Sequence, residues 1–382
     1  MTRLCVPLTG STSEQMIRDL QAAAAAGADM VELRLDYLHD HGEQAISALM
    51  DAANRFPGEV IATCRLASEG GLWDGDESQR VSLMERVGLA GADYIDFELA
   101  AWRSSANVRQ KIGLVCEVDA HTDRPRRKLI LSKHDLTATP ADLDALLANL
   151  AAQPAHAIKI ACQAERITDA LAMLDALHRW ATKRPTIALS MGEAGILARV
   201  LARKFGALLT FASLEAGKES APGQLTLAEM RSLYRWDSLN GDTRVYGVIG
   251  CPVAHSMSPA ILNAAFGAAG YNGIYLPMRV EPSYEDFADF VGGCLRRPWL
   301  DLRGCSVTIP HKQNLLRFVE RRGGQIEPLA ARIGAANTLC IEPGTRDDGS
   351  DARLAASNTD YRGAMDALRA GLAGTGCDLG DA

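Results

Sequence analysis

The sequence lacks the features that mark membrane, secreted and nucleic-acid-binding proteins. No apolar run approaches the ~18 residues needed to cross a bilayer, and the first strand pattern, at residues 4–8, starts too early for a preceding signal or transit peptide. The net charge of −7 argues against nucleic acid as a partner. We therefore expect a cytoplasmic protein without membrane contact, or a plastid protein if the natural N-terminus is longer.

The cysteines lack the spacing of a metal site or a disulfide framework. None of the nine belongs to a C-x-x-C pair, so we interpret them as reduced, mostly buried thiols. Aromatic residues are few, at 5%, but 47% of the 382 residues are hydrophobic. That length and composition allow two domains with full cores.

Eight apolar runs, most of them separated by helical stretches rich in Ala and Leu, occupy the first 235 or so residues. They lie at 4–8, 29–35, 60–65, 94–99, 128–133, 156–161, 186–191 and 207–212. This alternation predicts an α/β fold, a (β/α)8 TIM barrel, whose active site lies at the C-terminal ends of the strands. Within residues 101–127, the segment 113–118 (GLVCEV) predicts an additional strand or hairpin.

Charged residues alternate with apolar ones in residues 30–36. Glu32, Arg34 and Asp36 therefore share one face of the predicted strand. In an open sheet that face would be in water. In a parallel barrel it would point inward, and the charges would have to pair.

Lys159 lies in the apolar run 156–161 (HAIKIA). A lysine on a buried strand is costly unless its charge is paired or its pKa is depressed. A neutral lysine can form a Schiff base with a carbonyl substrate, which makes Lys159 a candidate nucleophile. Alternatively, Lys159 lies at a strand end and keeps its ammonium group in water.

Five motifs resemble, in their order, those of type I 3-dehydroquinate dehydratase. They are ELRLD at 32–36, RLASEGG at 65–71, SKHD at 132–135, KIA at 159–161 and SAPGQ at 220–224. The resemblance implies a lyase of the shikimate pathway that needs no cofactor or metal. It implies that Lys159 forms an imine with 3-dehydroquinate, that His134 moves the proton and releases the hydroxyl, and that Glu69 orients His134.

The chemistry fits these residue types. A protonated imine acidifies the neighbouring C–H bond, so one histidine can serve first as base and then as acid. Two other interpretations remain open. His134 with Asp135 is compatible with a helix cap, and Glu69 before two glycines is compatible with a turn.

The substrate's carboxylate calls for arginine, whose planar fork can donate two hydrogen bonds. The resemblance of residues 190–199 to the family pattern implies that Arg199 binds this carboxylate, although an ordinary surface charge is the alternative. The same resemblance implies that the pocket is lined by Glu32, Arg34 and Arg65 and closed by a loop with Ser220 and Gln224.

Turn-forming residues near 236–243 predict a domain boundary. We expect a first domain over residues 1–238 and a second over 243–382. The second opens with the strand pattern 245–250 (VYGVIG). Ser258 then fits a helix N-cap, with Pro259 at the first helical position.

Four motifs of the second part resemble the substrate-binding domain of shikimate dehydrogenase, an α/β domain. They are SMSP at 256–259, GCSVTIPHK at 304–312, GAANT at 334–338 and SNTD at 357–360. The order of the two parts resembles the plant-type bifunctional enzyme. The resemblance implies that Lys312 and Asp360 handle the hydroxyl proton during hydride transfer. The hydroxyls and carboxylate of 3-dehydroshikimate or shikimate would be held by Ser256, Ser258, Thr308 and Asn337.

Simpler roles for some of these residues remain alternatives. Ser258 and Asp360 are compatible with helix capping, and Lys312 with a solvated helix charge. Quinate is an alternative substrate of the second domain, although the hydroxyls of Ser256 and Thr308 favour shikimate.

A complete dehydrogenase of this kind uses NADP, held where a strand, a glycine-rich turn and a helix follow one another. The G-x-G at 374–376 follows a helix pattern instead, and we expect a linker there. We therefore expect this chain to dehydrate 3-dehydroquinate but not to reduce 3-dehydroshikimate with NADPH. A non-catalytic metabolite-binding regulator, or a scaffold for a partner, remains the alternative. Retention of Lys159, His134 and Glu69 argues against a regulator.

Overall fold

The structure is a computed structural model that describes residues 1–116, 118–119, 124–125, 127–344, 346 and 349–373. The chain divides into two compact units, Met1–Asp242 and Thr243–Ala382. The linker that we expect at 374–380 lies outside the described residues. No helix among the described residues is both long and apolar enough to cross a membrane.

The first unit contains ten strands and eight α-helices within the described residues. The strands are β1 (Arg3–Leu8), β2 (Met30–Arg34), β3 (Glu59–Thr63), β4 (Tyr94–Glu98), β5 (Val118–Asp119), β6 (Arg124–Pro125), β7 (Lys128–Asp135), β8 (Ala157–Gln163), β9 (Thr186–Met191) and β10 (Leu209–Phe211). The helices are α1 (Ser13–Ala25), α2 (Glu43–Ala53), α3 (Glu77–Ala90), α4 (Leu99–Ser104), α5 (Ala106–Val115), α6 (Leu143–Ala151), α7 (Ile167–Trp180) and α8 (Ile196–Leu201).

Eight of these strands form a parallel sheet in the order β10-β1-β2-β3-β4-β7-β8-β9. The two end strands meet where the amide of Leu208 donates to the carbonyl of Thr186 at 2.9 Å. The sheet is therefore a nearly closed barrel. The prediction of a (β/α)8 barrel is confirmed, and each of the eight predicted strands overlaps an observed one.

The prediction of a strand at 113–118 is wrong for its first half. Residues 113–115 end helix α5, whose buried Val108, Ile112 and Val115 recur at helical spacing. A short apolar run cannot be assigned to strand or helix by its pattern alone. The described residues after the helix form only the short antiparallel hairpin of β5 and β6, and residue 117 lies outside them.

The barrel interior changes from apolar to polar toward the C-terminal ends of the strands. The apolar part includes Met30, Ile61, Tyr94, Ile130 and Ala157. Two residues further along the same five strands, and hence on the same inward face, lie Glu32, Thr63, Asp96, Ser132 and Lys159, all buried. A polar layer therefore lies directly beneath the C-terminal mouth of the barrel.

The second unit is built on one mixed sheet. Its strands are β11 (Arg244–Gly250), β12 (Gly273–Arg279), β13 (Leu302–Val307), β14 (Gln325–Ile326), β15 (Thr338–Glu342) and β16 (Arg353–Ser357), in the order β12-β11-β13-β15-β16-β14. Its helices are α9 (Ser258–Ala268), α10 (Tyr284–Leu295), α11 (Lys312–Arg321), α12 (Pro328–Ile333) and α13 (Thr359–Leu372). Strand β15 is antiparallel to both neighbours, and the other pairs are parallel. The predicted α/β class of this part is confirmed.

The start of helix α9 differs from the prediction by one residue. Met257 is the N-cap, while Ser258 and Pro259 are the first two helical residues. The hydroxyl oxygen of Ser256 accepts a hydrogen bond from the Ser258 amide at 3.3 Å. Ser256 therefore supplies the local cap that we expected from Ser258.

Candidate active site

Lys159 lies in the middle of β8 and is only 4% exposed. Its Nζ is 2.7 Å from Asp96 Oδ2 and 3.5 Å from Glu32 Oε1. The Nζ also lies 4.8 Å from the centre of the Phe211 ring. The alternative of a solvated strand end is therefore wrong, and pairing with carboxylates accompanies the burial of this lysine.

Asp96 connects Lys159 to the rest of the polar layer. Its Oδ1 accepts a hydrogen bond from Ser132 Oγ at 2.6 Å and lies 2.9 Å from Arg65 Nη2. Burial acts to raise the pKa of Asp96, but the charges of Arg65 and Lys159 outweigh it and hold this pKa well below its usual range. Asp96 is therefore an ionised partner for both cations.

His134 lies near the end of β7 and is bound to Glu69 twice. Glu69 Oε2 accepts from the His134 amide at 2.8 Å and lies 3.2 Å from His134 Nδ1. Glu69 belongs to a 3-10 turn over Ala67–Glu69, and Lys133 Nζ donates to its other oxygen at 3.0 Å. His134 is thus a strand residue rather than a helix cap, and the Glu69 turn holds it.

The electrostatics of this pair favour a neutral histidine. Burial lowers the pKa of His134 well below its usual range, and the charge of Arg65 lowers it further, against the opposing contribution of Glu69. For Glu69, hydrogen bonds from His134 and Lys133 outweigh burial and lower the pKa to about 2. An ionised carboxylate only accepts, so Nδ1 carries the proton and Nε2 keeps a free lone pair.

Two further arginines at the mouth are held by carboxylates. Arg65 Nη1 donates to Glu98 Oε1 at 2.9 Å and to Ser132 Oγ at 2.8 Å. Arg34 makes a two-bond pair with Asp36, at 3.0 and 2.7 Å. The charges that alternate along residues 30–36 therefore pair inside the barrel, as we expected for this fold.

Arg199 differs from these arginines because no carboxylate of the described residues pairs with it. Its side chain is buried, with 2% of the residue exposed, and burial lowers its pKa to about 10, which still leaves it charged at neutral pH. Nη2 lies 3.3 Å from the carbonyl oxygen of Pro222, and Nε has no hydrogen-bond partner within the part of the chain that the structure describes. The alternative of a surface charge is therefore wrong.

The loop that contains Pro222 closes over the same region. The Ser220 amide donates to Gln224 Oε1 at 2.8 Å, and the Gly192 amide donates to the Pro222 carbonyl at 3.0 Å. Gly223 has φ 72°, and a Cβ there would lie 2.3 Å from the Gly192 carbonyl oxygen. This close approach requires glycine.

A cavity of about 190 Å³ brings the predicted residues of the first unit together. Its lining includes Glu32, Arg34, Arg65, Glu69, His134, Lys159, Arg199, Ser220 and Gln224. Apolar lining comes from Leu136, Leu189, Met191 and Phe211. Among the described residues, no group of His, Cys, Asp or Glu side chains forms a candidate metal site.

The carboxylates of β4 were not among the site residues predicted from the sequence. Asp96 and Glu98 are both about 1% exposed and bind the cations of the site. The signal was present, because Tyr94, Asp96 and Glu98 alternate with apolar residues as the charges of β2 do.

The second unit has a separate cavity of about 510 Å³. It is lined by all six residues predicted there, which are Ser256, Ser258, Thr308, Lys312, Asn337 and Asp360. Lys312 Nζ lies 2.5 Å from Asp360 Oδ2, and Asn337 Nδ2 donates to Asp360 Oδ1 at 2.7 Å. Asn358 caps helix α13, so the alternative of Asp360 as a helix cap is wrong.

Each of the two units that contain these cavities matches a known protein family or domain. Residues 4–240 match the type I 3-dehydroquinase family. The chain belongs to this family. Residues 248–339 match the shikimate dehydrogenase substrate binding domain.

Individual relatives match one or both parts. The bifunctional 3-dehydroquinate dehydratase/shikimate dehydrogenase of Arabidopsis thaliana is 34% identical over 376 residues, 98% of this chain and 57% of the relative. The 3-dehydroquinate dehydratase of Methanothermobacter thermautotrophicus is 34% identical over 61% of this chain and 96% of the relative. The solved 3-dehydroquinate dehydratase of Geobacillus kaustophilus has a TM-score of 0.53 and 25% identity over 60% of this chain and 89% of its own. The chain thus spans just over half of the plant relative.

Proposed function

We propose that the first unit dehydrates 3-dehydroquinate to 3-dehydroshikimate through an imine on Lys159. The observation that carries this proposal is the meeting of three groups in one cavity. These are a buried lysine, a histidine with a lowered pKa and an arginine that pairs with no carboxylate of the described residues. The lysine can form an imine with a ketone, and the histidine can remove a proton from the acidified C–H bond. The arginine can bind the substrate carboxylate.

Asp96 and Glu32 are suited to stabilise Lys159 both as an ammonium group and as a protonated imine. When an ammonium group condenses with a ketone, a protonated imine and one water form, and the positive charge on nitrogen is unchanged. The carboxylates that lie 2.7 and 3.5 Å from Lys159 Nζ would therefore also stabilise the protonated imine. Phe211, beneath the same nitrogen, adds a favourable contact with the cation.

His134 would carry out both proton transfers. Its Nε2 lone pair would take a proton from the carbon next to the imine, which leaves an enamine. The imidazolium would then give that proton to the departing hydroxyl, so that water leaves and the neutral imidazole returns. Glu69 would orient the ring through Nδ1 and stabilise the transient imidazolium. Hydrolysis of the imine would release the product and regenerate Lys159.

Arg199 would bind the substrate carboxylate. The Arg199→Gln substitution is expected to raise KM by about 10- to 100-fold, with a smaller effect on kcat, because charge-assisted hydrogen bonds contribute about 1.5–3 kcal/mol. Steady-state kinetics that follow the conjugated product by ultraviolet absorbance would measure both constants. Arg203→Gln is a matched control, because Arg203 binds the Leu239 carbonyl and does not line the cavity. An unchanged KM in Arg199→Gln would contradict this role.

We propose further that the cavity of the second unit binds shikimate or 3-dehydroshikimate. Its hydroxyls, its amide and the Lys312–Asp360 pair suit a ring with several hydroxyl groups. NADPH would supply the hydride for reduction of 3-dehydroshikimate, and Lys312 with Asp360 would move the hydroxyl proton. No residue of the described chain is proposed to hold that cofactor.

Binding of shikimate tests the second cavity without any turnover. Lys312→Met is expected to weaken shikimate binding by about tenfold or more in calorimetry, because a charged hydrogen-bond donor is lost. Arg317→Met is the control, since Arg317 lies on the same helix but stacks on Tyr284 instead. We also expect quinate to bind more weakly than shikimate. Equal shikimate affinity in Lys312→Met and the parent would contradict the proposed site.

A further inference from the structure

Arg80 is a fully buried arginine on a helix outside the barrel. It lies on α3 and is 0% exposed. Its Nε and Nη2 each donate to the Glu77 carboxylate at 2.8 Å, and its guanidinium carbon lies 4.3 Å from the centre of the Phe97 ring. Neither Arg80 nor Glu77 lines the active-site cavity.

The remaining nitrogen of Arg80 reaches the segment that follows β3. Nη1 donates to the carbonyl of Cys64 and to Glu98 Oε2, both at 2.7 Å. The other oxygen of Glu98 accepts from Arg65 Nη1 at 2.9 Å and from the Leu66 amide at 3.1 Å. Arg80 therefore holds the backbone before Arg65 directly. Through Glu98, it also holds the Arg65 side chain and the backbone that follows Arg65.

These contacts belong to a line of side chains with alternating charge that ends at the candidate nucleophile. In order, the members are Glu77, Arg80, Glu98, Arg65, Asp96 and Lys159. All except Glu77 are buried. A buried charge that loses its partner is strongly unfavourable, so each member constrains the position of the next.

The segment held in this way supplies two residues of the site. Arg65 lines the cavity, and Glu69, four residues later, binds His134. Between them the chain makes a tight turn, with the Glu69 amide donating to the Leu66 carbonyl at 3.0 Å. A shift at residues 64–66 would therefore displace both the cation and the carboxylate that contact the cavity.

We propose that Arg80 is a positioning residue for dehydration, acting through Glu98 and the Cys64 carbonyl to hold Arg65 and the Glu69 turn. The inference rests on the proposed dehydratase function of the first unit. Arg80 does not line the cavity and would touch no substrate. Its effect on the reaction passes through Arg65, Glu69 and His134.

The test compares Arg80→Lys with the parent chain. Lysine keeps the charge but cannot make the two bonds to Glu77 together with those to Glu98 and Cys64. Because a misplacement of about 1 Å can cost 10²-fold, kcat is expected to fall by about 10- to 100-fold. Rates are to be divided by the fraction of chains that borohydride traps with 3-dehydroquinate, so that unfolded protein does not contribute. Glu98→Gln breaks the same line at its next member and is expected to lower kcat in the same direction.

Arg86→Lys provides the control on the same helix. Arg86 donates to the His41 carbonyl at 2.7 Å, whereas the hydrogen bonds to Glu98 and the Cys64 carbonyl come from Arg65, Leu66 and Arg80. If the arginines of α3, buried Arg80 and half-buried Arg86, served only to hold the helix, Arg86→Lys and Arg80→Lys would lower the trapped fraction alone. The inference requires a lower kcat per trapped site in Arg80→Lys only.

The pH profile gives a readout that a purely structural role would not change. His134 faces Glu69, Arg65, Lys159 and Asp96, and its pKa is lowered first by burial and then by Arg65. Its base form is thus present at neutral pH and is lost as pH falls through this lowered pKa. In Arg80→Lys the charge of Arg65 is less firmly held, so the acid limb of kcat/KM should move to higher pH. It should not move in Arg86→Lys.

The outcomes separate this inference from the proposed function. If the parent chain neither turns over nor traps 3-dehydroquinate, the proposed function fails. In that case the titration of His134, followed by NMR of ¹⁵N-labelled imidazole, still decides the positioning role. A higher midpoint in Arg80→Lys than in Arg86→Lys supports it, and equal midpoints overturn it. In an active parent, an Arg80→Lys chain with kcat per trapped site within twofold of the parent and an unmoved acid limb also overturns it.

Discussion

Replacing Lys159 with methionine is expected to abolish dehydration of 3-dehydroquinate, with a loss in kcat on the order of 10⁴-fold or more, as for other covalent nucleophiles. Methionine fills a similar volume but cannot form an imine. Asp96 would keep its bond to Arg65, so this buried carboxylate would retain one ion-pair partner. Steady-state kinetics together with borohydride trapping would measure turnover and adduct in the same sample.

Lys128→Met is a matched control for this experiment. Lys128 lies at the start of β7, toward the opposite end of the barrel, where its Nζ is 3.0 Å from Glu59. Like Lys159 it is paired with a carboxylate, but it is only partly buried and does not line the cavity. We expect this variant to keep both turnover and adduct. Residual turnover near the parent rate in Lys159→Met would exclude the imine mechanism.

His134→Ala is expected to lose most turnover while imine formation persists. General acid–base groups typically contribute about 10²- to 10⁴-fold, and kcat should fall within that range. Lys159 keeps its contacts with Asp96 and Glu32 in this variant, so borohydride should still trap the substrate. Mass spectrometry of the intact chain, run beside the kinetics, distinguishes loss of proton transfer from loss of the covalent bond.

His156→Ala serves as the control for the histidine. His156 precedes β8, and its Nδ1 lies 2.9 Å from the Leu129 amide, away from the cavity. Its removal should leave kcat near the parent value. A His134→Ala chain that keeps half of the parent rate would show that another residue moves the proton.

The barrel was predictable because its strands are short apolar runs that alternate with helical stretches. Lys159 and Glu32 were visible for the same reason, as charged residues inside such runs. Pairing between them was not visible, since residues 127 positions apart meet only when the sheet closes. The sequence pattern predicted inward charges without saying which partners they would find.

Asp96 and Arg80 were not predicted from the sequence, for two different reasons. Asp96 follows the same alternation as Glu32, so a consistent application of that pattern would have found it. Arg80, three residues after Glu77, resembles an ordinary exposed pair on a helix. Its burial depends on the gap between α3 and the ends of β3 and β4, which only tertiary packing creates.

The predictions from sequence were wrong where the local pattern fits two structures equally well. The run at 113–118 was short enough to suit strand or helix, and the burial of Val108, Ile112 and Val115 decided for α5. At α9, Ser258 and Pro259 fit the start of a helix equally well in two registers. The hydrogen bond from the Ser258 amide to Ser256 Oγ is part of the register observed.

The regulator hypothesis makes a different prediction for the first cavity. A metabolite-binding regulator would hold 3-dehydroquinate through Arg199 and the loop at 220–224 without a covalent step. Binding alone therefore cannot separate the two hypotheses, because both use the same cation. The covalent bond to Lys159 separates them.

The most direct test of the account is to treat the parent chain with borohydride in the presence of 3-dehydroquinate and to map the adduct by peptide mass spectrometry. Reduction of the imine would leave a stable secondary amine that links the ring to a lysine side chain. We predict one adduct per chain, on the peptide that contains Lys159. An adduct on another lysine, or no adduct in a chain that turns over its substrate, would contradict the central claim.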